Sequence, residues 1–71
     1  MKHNEDFLQA PAEVIKKLPN NHFQVKFDNG RIIKAKTVKR LKKLVIGDRV
    51  IVEFSLRELT NGQIVSLVES S

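Results

Sequence analysis

The chain has 71 residues, a length that allows one domain and leaves no room for a second. It contains no cysteine, which excludes disulfides and thiolate metal sites, and a hydrophobic content of 41% predicts a globular core rather than a disordered chain. Thirteen Lys and Arg against eight Asp and Glu give a formal net charge of +5, which indicates a polyanionic partner.

The start of the chain lacks the features of a targeting or membrane segment. No stretch approaches the roughly 18 consecutive apolar residues of a membrane span, and MKHNEDFLQ has acids where a signal peptide needs an apolar run. We therefore expect a cytoplasmic protein that begins at or near Met1 and has no membrane partner. Residues 1–6 are expected to form a flexible N-terminus ahead of a single domain over residues 7–71.

The first predicted element is a strand from Phe7 to Leu18. Proline cannot donate a hydrogen bond to a sheet, so Pro11 indicates an edge position or a bulge within this strand. The strand ends in a predicted turn, Leu18-Pro19-Asn20-Asn21, because Pro presets φ and Asn tolerates left-handed backbone geometry.

The clearest element is a hairpin over residues 22–37. The stretch from His22 to Phe27 alternates strictly, Asp28-Asn29-Gly30 contains the strong Asn-Gly turn signal, and Arg31 to Thr37 is the return strand. The alternation predicts a buried face of Phe23, Val25, Phe27, Ile33 and Ala35, and an outer face of His22, Gln24, Lys26, Lys34 and Lys36.

The second half of the chain is less regular. Residues Val38 to Ile46 have a helical spacing that indicates one or two helical turns, and Gly47-Asp48 then breaks the segment. Arg49 to Phe54 alternates as a fourth strand. Ser55 to Gly62 is expected to be a polar connection with a short helical turn at Leu56 to Leu59, before a last strand from Gln63 to Val68.

Five short strands predict an all-β fold that closes into a barrel, because such strands cannot leave two apolar sheet faces in water. The OB fold is the commonest five-stranded arrangement of this kind. We therefore predict a five-stranded OB-fold barrel with a short helical turn after strand 3, with a small SH3-like barrel as the alternative.

Motifs for catalysis or metal binding are absent from the sequence. There is no phosphate-binding glycine loop, no nucleophile elbow and no zinc-ligand spacing. His3 and His22 have no second histidine at ligand spacing and are interpreted as solvated surface residues. We expect no enzyme activity, no cofactor and no metal.

The distinctive feature is a run of cations without any acid between Arg31 and Lys43. A solvated face is one explanation for such a run, but these cations continue from the outer face of a strand into the next loop, where OB folds bind nucleic acids. The predicted RNA-binding residues are Arg31, Lys34, Lys36, Lys39, Arg40, Lys42 and Lys43, with possible further contacts from His22, Gln24 and Lys26. Because the alternation buries Phe23, Phe27 and Phe54, phosphate contacts to folded RNA are favoured over base stacking.

From about Leu8 to Val65 the sequence resembles the family of bacterial translation initiation factor one. The resemblance rests on the order and spacing of Leu18-Pro19-Asn20, Phe23-x-Val25, Asp28-Asn29-Gly30-Arg31, Ala35, Gly47-Asp48-x-Val50-x-Val52-Glu53, Leu59 and Gly62-x-Ile64-Val65. It implies an OB fold that binds ribosomal RNA of the small subunit at the aminoacyl-tRNA (decoding) site, with other initiation factors as further partners. A shorter segment between Lys36 and Gly47 and a C-terminus without basic residues indicate a divergent member or a paralogue.

The sequence leaves three alternative functions. The first is an initiation-factor-like protein, expected to be a monomer, that binds small-subunit RNA. The second is a general RNA or single-stranded nucleic-acid binder of the cold-shock kind. The third is a protein-interaction barrel whose positive charge meets an acidic protein.

Overall fold

A computed structural model describes residues 7–37 and 44–68 as five strands. The strands are β1 (Phe7–Leu18), β2 (His22–Phe27), β3 (Ile32–Thr37), β4 (Arg49–Ser55) and β5 (Glu58–Val68). They close into a barrel in the order β1-β2-β3-β5-β4, with β3 and β5 parallel and every other pair antiparallel. This arrangement confirms the predicted all-β, five-stranded OB-fold barrel.

The long first strand is shared between both sides of the barrel. Its first part, Phe7 to Glu13, pairs with β4, and its second part, Ala12 to Leu18, pairs with β2. Pro11 pairs with Ile51 of β4 and has no partner in β2, which is the edge position that its missing N–H requires. The bulge in this strand lies further on, between Val14 and Lys16.

Two turns set the register of β1, β2 and β3. In the first, Asn20 and Asn21 both have φ near +60° (61° and 63°), and His22 N donates to Pro19 O at 3.3 Å. Positive φ at both central residues is the geometry of a type I′ turn.

The predicted β2–β3 hairpin is confirmed, and its turn consists of the three residues Asp28-Asn29-Gly30. Gly30, at φ 91°, donates from its backbone N to Phe27 O at 2.9 Å, and Phe27 N donates to Arg31 O at 2.8 Å. The side chain of Asn29 adds a second closure, because its Oδ1 accepts from Arg31 N at 2.9 Å. The loop therefore follows the pattern in which a turn is completed by a left-handed glycine.

The predictions for the irregular segments have different outcomes. The helical turn expected after strand 3 falls mainly on residues 38–43, which lie outside the described residues, and neither described range contains a helix. The expected connection from Ser55 to Gly62, with a helical turn at Leu56 to Leu59, is wrong. The chain reverses at Leu56-Arg57, and β5 pairs with β4 from Glu58 onwards, while Ser55 Oγ accepts from Arg57 N at 3.0 Å.

The core is built from the inward face of each strand and one loop residue. The residue from the loop is Leu44, which is only 3% exposed. The barrel closes where β5 passes β4 at Gly62. A Cβ at this position would lie 2.9 Å from Val52 Cγ1 and 3.0 Å from Glu53 O, so the close approach of these two strands requires glycine. The buried hydrophobic residues are Ala12, Val14, Phe23, Val25, Phe27, Ile33, Ala35, Leu44, Val50, Val52 and Ile64.

Candidate nucleic-acid interface

The outer surface of β2 and β3 bears the cations that the alternation predicts there. Its members, which we call the lysine face, are His22, Gln24, Lys26, Lys34 and Lys36. In the ladder, Gln24 lies opposite Lys34 and His22 lies opposite Lys36, so these side chains stand next to each other on the same side of the sheet. All three lysines are exposed.

Few negative charges offset this surface. Glu13, opposite Lys26, is the only ladder partner of the lysine face with a carboxylate among the described residues. None of the three lysines forms an ion pair with another described residue; the ion pair between Arg49 and Asp28, at 3.3 Å, lies elsewhere. A positive surface with one facing carboxylate and no ion pair among the described residues retains its attraction for an external polyanion.

His22 is held in place at one end of the lysine face. Its Nδ1 lies 2.8 Å from the backbone oxygen of Asn20. A carbonyl oxygen can only accept, so Nδ1 carries the hydrogen and, in the neutral ring, Nε2 is the acceptor. This assignment leaves Nε2 available to a ligand that donates a hydrogen bond.

Arg31 does not lie on the lysine face. It precedes β3, and its position in the alternation is that of the inward residues Ile33 and Ala35. It borders an apolar cavity of about 470 Å³ between the β2–β3 turn and the β4–β5 turn, where Phe27 and Phe54 meet edge to face at 5.3 Å. Along the strand it lies about 10 Å from Lys34, at about 3.3 Å per residue.

The remaining predicted cations, Lys39, Arg40, Lys42 and Lys43, lie outside the described residues. The residues on either side of this segment are well anchored. Before it, the backbone N of Thr37 donates to Asn21 O at 3.0 Å. After it, the backbone N of Gly47 donates to Val14 O at 2.8 Å, and Val14 N donates to Asp48 O at 2.9 Å. Both anchors lie on β1 or on the turn that follows it.

A further lysine, which the sequence did not single out, joins this surface. Lys16 of β1 lies opposite Gln24 and is exposed. The bulge between Val14 and Lys16 puts it there, because the inward alternation of Ala12 and Val14 is interrupted at Ile15. That interruption is visible in the sequence and is the signal that could have identified Lys16.

The lysine face offers no platform for stacked bases. Phe23 and Phe27 are buried, Phe54 packs against Phe27, and Phe7, although 50% exposed, lies opposite Ser55 of β4. The described residues also contain no group of three or more His, Asp or Glu side chains that could hold a metal ion. The Lys, Gln and His side chains of this surface can bind a partner by charge attraction and hydrogen bonding.

Comparison with known proteins identifies the family. No model of a protein family matches the chain. Two curated proteins, both named translation initiation factor IF-1 and both from strains of Rickettsia bellii, OSU 85-389 and RML369-C, are each 37% identical over 65 residues, covering 86% of this chain and 89% of the relative. The chain belongs to the translation initiation factor IF-1 family.

A solved member of the IF-1 family has the same fold. The solution structure of the translation initiation factor of this name from the Wolbachia endosymbiont strain TRS of Brugia malayi matches with a TM-score of 0.72 and 29% identity, over 94% of this chain and 84% of that one. This match confirms both the resemblance inferred from the sequence and the OB-fold barrel. Within the described residues, no helix has the length and apolar character needed to cross a membrane.

Proposed function

We propose that this initiation factor binds ribosomal RNA of the small subunit near the decoding (aminoacyl-tRNA) site and that the lysine face contacts the RNA backbone. The observation that supports the proposal most directly is the lysine face itself, in a chain that belongs to the IF-1 family. The proposal makes the protein a cytoplasmic, monomeric binding factor without cofactor or enzyme activity, whose single domain covers residues 7–71. Other initiation factors are its further partners.

The face suits a phosphate backbone better than it suits bases. Lysine ammonium groups act as flexible point charges toward phosphate oxygens, and such contacts position a protein on RNA without reading its sequence. Gln24 and His22 supply hydrogen bonds between these charges. Since no aromatic side chain is available there for stacking among the described residues, discrimination comes from the shape of the folded RNA.

The proposed contacts fall into three groups. The lysine face forms the centre. Arg31, next to the turn of the β2–β3 hairpin, is a peripheral contact. The basic segment after β3 provides Lys39, Arg40, Lys42 and Lys43.

Charge reversal on the face tests the proposal. Lys34→Glu and Lys36→Glu, separately and together, are expected to weaken co-sedimentation of the protein with purified small subunits, and Arg40→Glu with Lys43→Glu should do the same. Arg57→Glu is the matched control for the single variants, because it changes the net charge as each of them does but lies in the β4–β5 turn. Unchanged binding by the folded face variants, or equal weakening by Arg57→Glu, would contradict a localised binding face.

Chemical footprinting of small-subunit RNA locates the contact. The native protein is expected to protect nucleotides of the decoding region, and Lys34→Glu with Lys36→Glu should reduce that protection. Protection confined to another region would contradict the proposed location. Binding that survives nuclease treatment and high salt would favour the protein-interaction barrel instead.

A further inference from the structure

The bulge in β1 determines which side of that strand faces β2 and β3. In the ladder Val14 lies opposite Val25, and the next pair is Lys16 opposite Gln24, so Ile15 is the extra residue. In a regular ladder Ile15 would lie opposite Gln24, and Lys16 would take the inward side, opposite Phe23. The bulge therefore turns Lys16 outward.

The result is a row of polar side chains across three strands. Lys16, Gln24 and Lys34 are consecutive ladder partners on β1, β2 and β3. With strands spaced about 4.8 Å apart, the Cα atoms of the two lysines lie about 10 Å apart, with Gln24 between them. Like Lys34, Lys16 forms no ion pair with another described residue.

Lys16 also lies near the points where the basic segment leaves and rejoins the described structure. Thr37 is bonded to Asn21, in the turn directly after β1, and Gly47 and Asp48 are bonded to Val14, two residues before Lys16. Thr37 directly follows Lys36 of the lysine face, whereas Gly47 and Asp48 lie beside the second half of β1. A polyanion that extends from the lysine face toward Gly47 and Asp48 would pass over this part of the strand.

We propose that β1 is part of the RNA-binding surface and that Lys16, turned outward by the bulge, binds a phosphate of the same RNA as Lys34. This inference rests on the proposed function, and it adds a strand to the interface. The sequence run from Arg31 to Lys43 does not include this strand.

The occupant that fits the row is an RNA backbone rather than an acidic protein. Protein interfaces have apolar and aromatic centres from which lysine is depleted. The enlarged surface has lysines at its centre, and its large apolar residues, Leu18 and Ile32, lie opposite His22 and Lys26 toward its ends. Spaced cations separated by a neutral hydrogen-bonding group match a chain of phosphates.

The test compares Lys16→Gln with Lys34→Gln, Lys17→Gln and Arg57→Gln, all in the full chain, by affinity for purified small subunits at several salt concentrations. At about 0.1 M salt, one lost phosphate contact corresponds to about a five- to eightfold loss of affinity and a fall of about 0.7 to 0.9 in the salt slope. Lys16→Gln and Lys34→Gln are each expected to show this change. Lys17 is opposite the buried Phe23 and therefore lies outside the row. Lys17→Gln and Arg57→Gln should therefore show a smaller loss of affinity and a smaller change in the salt slope.

The outcomes separate this inference from the proposed function. If Lys34→Gln weakens binding and Lys16→Gln does not, the role of β1 is contradicted, while the proposed contact of the lysine face with RNA is retained. Equal losses of affinity for Lys16→Gln and Lys17→Gln would overturn the role of the bulge, since the loss of one positive charge would explain both. If neither Lys16→Gln nor Lys34→Gln has an effect, the proposed function itself fails. Thermal unfolding of each variant confirms that the fold is retained.

Discussion

Single residues in the turns determine on which face of the sheet the lysines lie. Asn20 and Asn21 both adopt left-handed backbone geometry, which Asn tolerates better than most residues, and so let β1 turn directly into β2. Gly30 does the same at the end of the β2–β3 loop. If either turn were one residue longer, the register would shift and the outward lysines would exchange places with core residues.

Gly30→Ala is expected to lower the free energy of unfolding by about 1–2 kcal/mol, because an L-residue with a Cβ is strained at φ 91°. Open space surrounds the position, so the cost comes from the backbone and not from a clash. Urea unfolding followed by circular dichroism measures it. Asn29→Ala is the comparison variant, which should cost less because it loses only the bond to Arg31 N. A neutral Gly30→Ala would contradict the described turn.

At the scale of elements, the last strand completes the barrel by pairing with two strands at once. β5 pairs with β4 along most of its length and adds β3 as a parallel neighbour from Asn61 to Ile64. Gly62 lies within this shared stretch, where Val52 and Ile33 side chains approach it from both neighbouring strands.

Gly62→Ala is expected to destabilise the protein by about 1–3 kcal/mol, since the added methyl group would overpack the core. Of the contacts involved, Glu53 O belongs to the backbone of a paired strand and cannot move aside without disturbing the ladder. Thermal unfolding measures the effect, with Ser66→Ala on the exposed side of the same strand as the control. An unchanged melting temperature for Gly62→Ala would mean that the strands are further apart than described.

How far the sequence predicts each element depends on how local its determinants are. The hairpin from His22 to Thr37 is predictable because strict alternation and an Asn-Gly turn act over a few residues. Asn61-Gly62 also looks like a turn, but here the glycine serves a close approach between distant strands. The bulge at Ile15 has neither Gly nor Pro to mark it, and its sign in the sequence is the apolar pair Val14-Ile15, which interrupts the alternation without showing that Gln24 is the ladder partner of Lys16.

The candidate site is predictable to the same degree. Lys26, Lys34 and Lys36 follow from alternation along β2 and β3 and lie on the outer face as expected. Arg31 is adjacent in sequence, but as the first residue after the turn it has the opposite position in the alternation and borders the apolar cavity. A run of like charges therefore does not by itself define one surface, because neighbouring residues on a strand point to opposite faces.

At the scale of the whole molecule, charge determines how binding responds to salt. Each phosphate contact contributes about 0.7 to 0.9 to the slope of log affinity against log salt concentration. With four to six contacts, the affinity for small subunits should therefore fall with salt at a slope of about −3 to −5. Equilibrium binding between low and moderate salt gives this slope. A slope near zero would contradict a backbone contact and favour a partner that is held by apolar burial.

The parallel contact between β3 and β5 also has a consequence for how the protein is made. Strands that must pair across a long stretch of sequence come together slowly, and they cannot do so until the later one is available. While the nascent chain is still being extended, Lys34 to Thr37 of β3 lack their second neighbour and the barrel stays open, because Asn61 to Ile64 have not yet left the exit tunnel. A factor assigned to the start of translation thus cannot close its own barrel until the ribosome that makes it has released Asn61 to Ile64 from the exit tunnel.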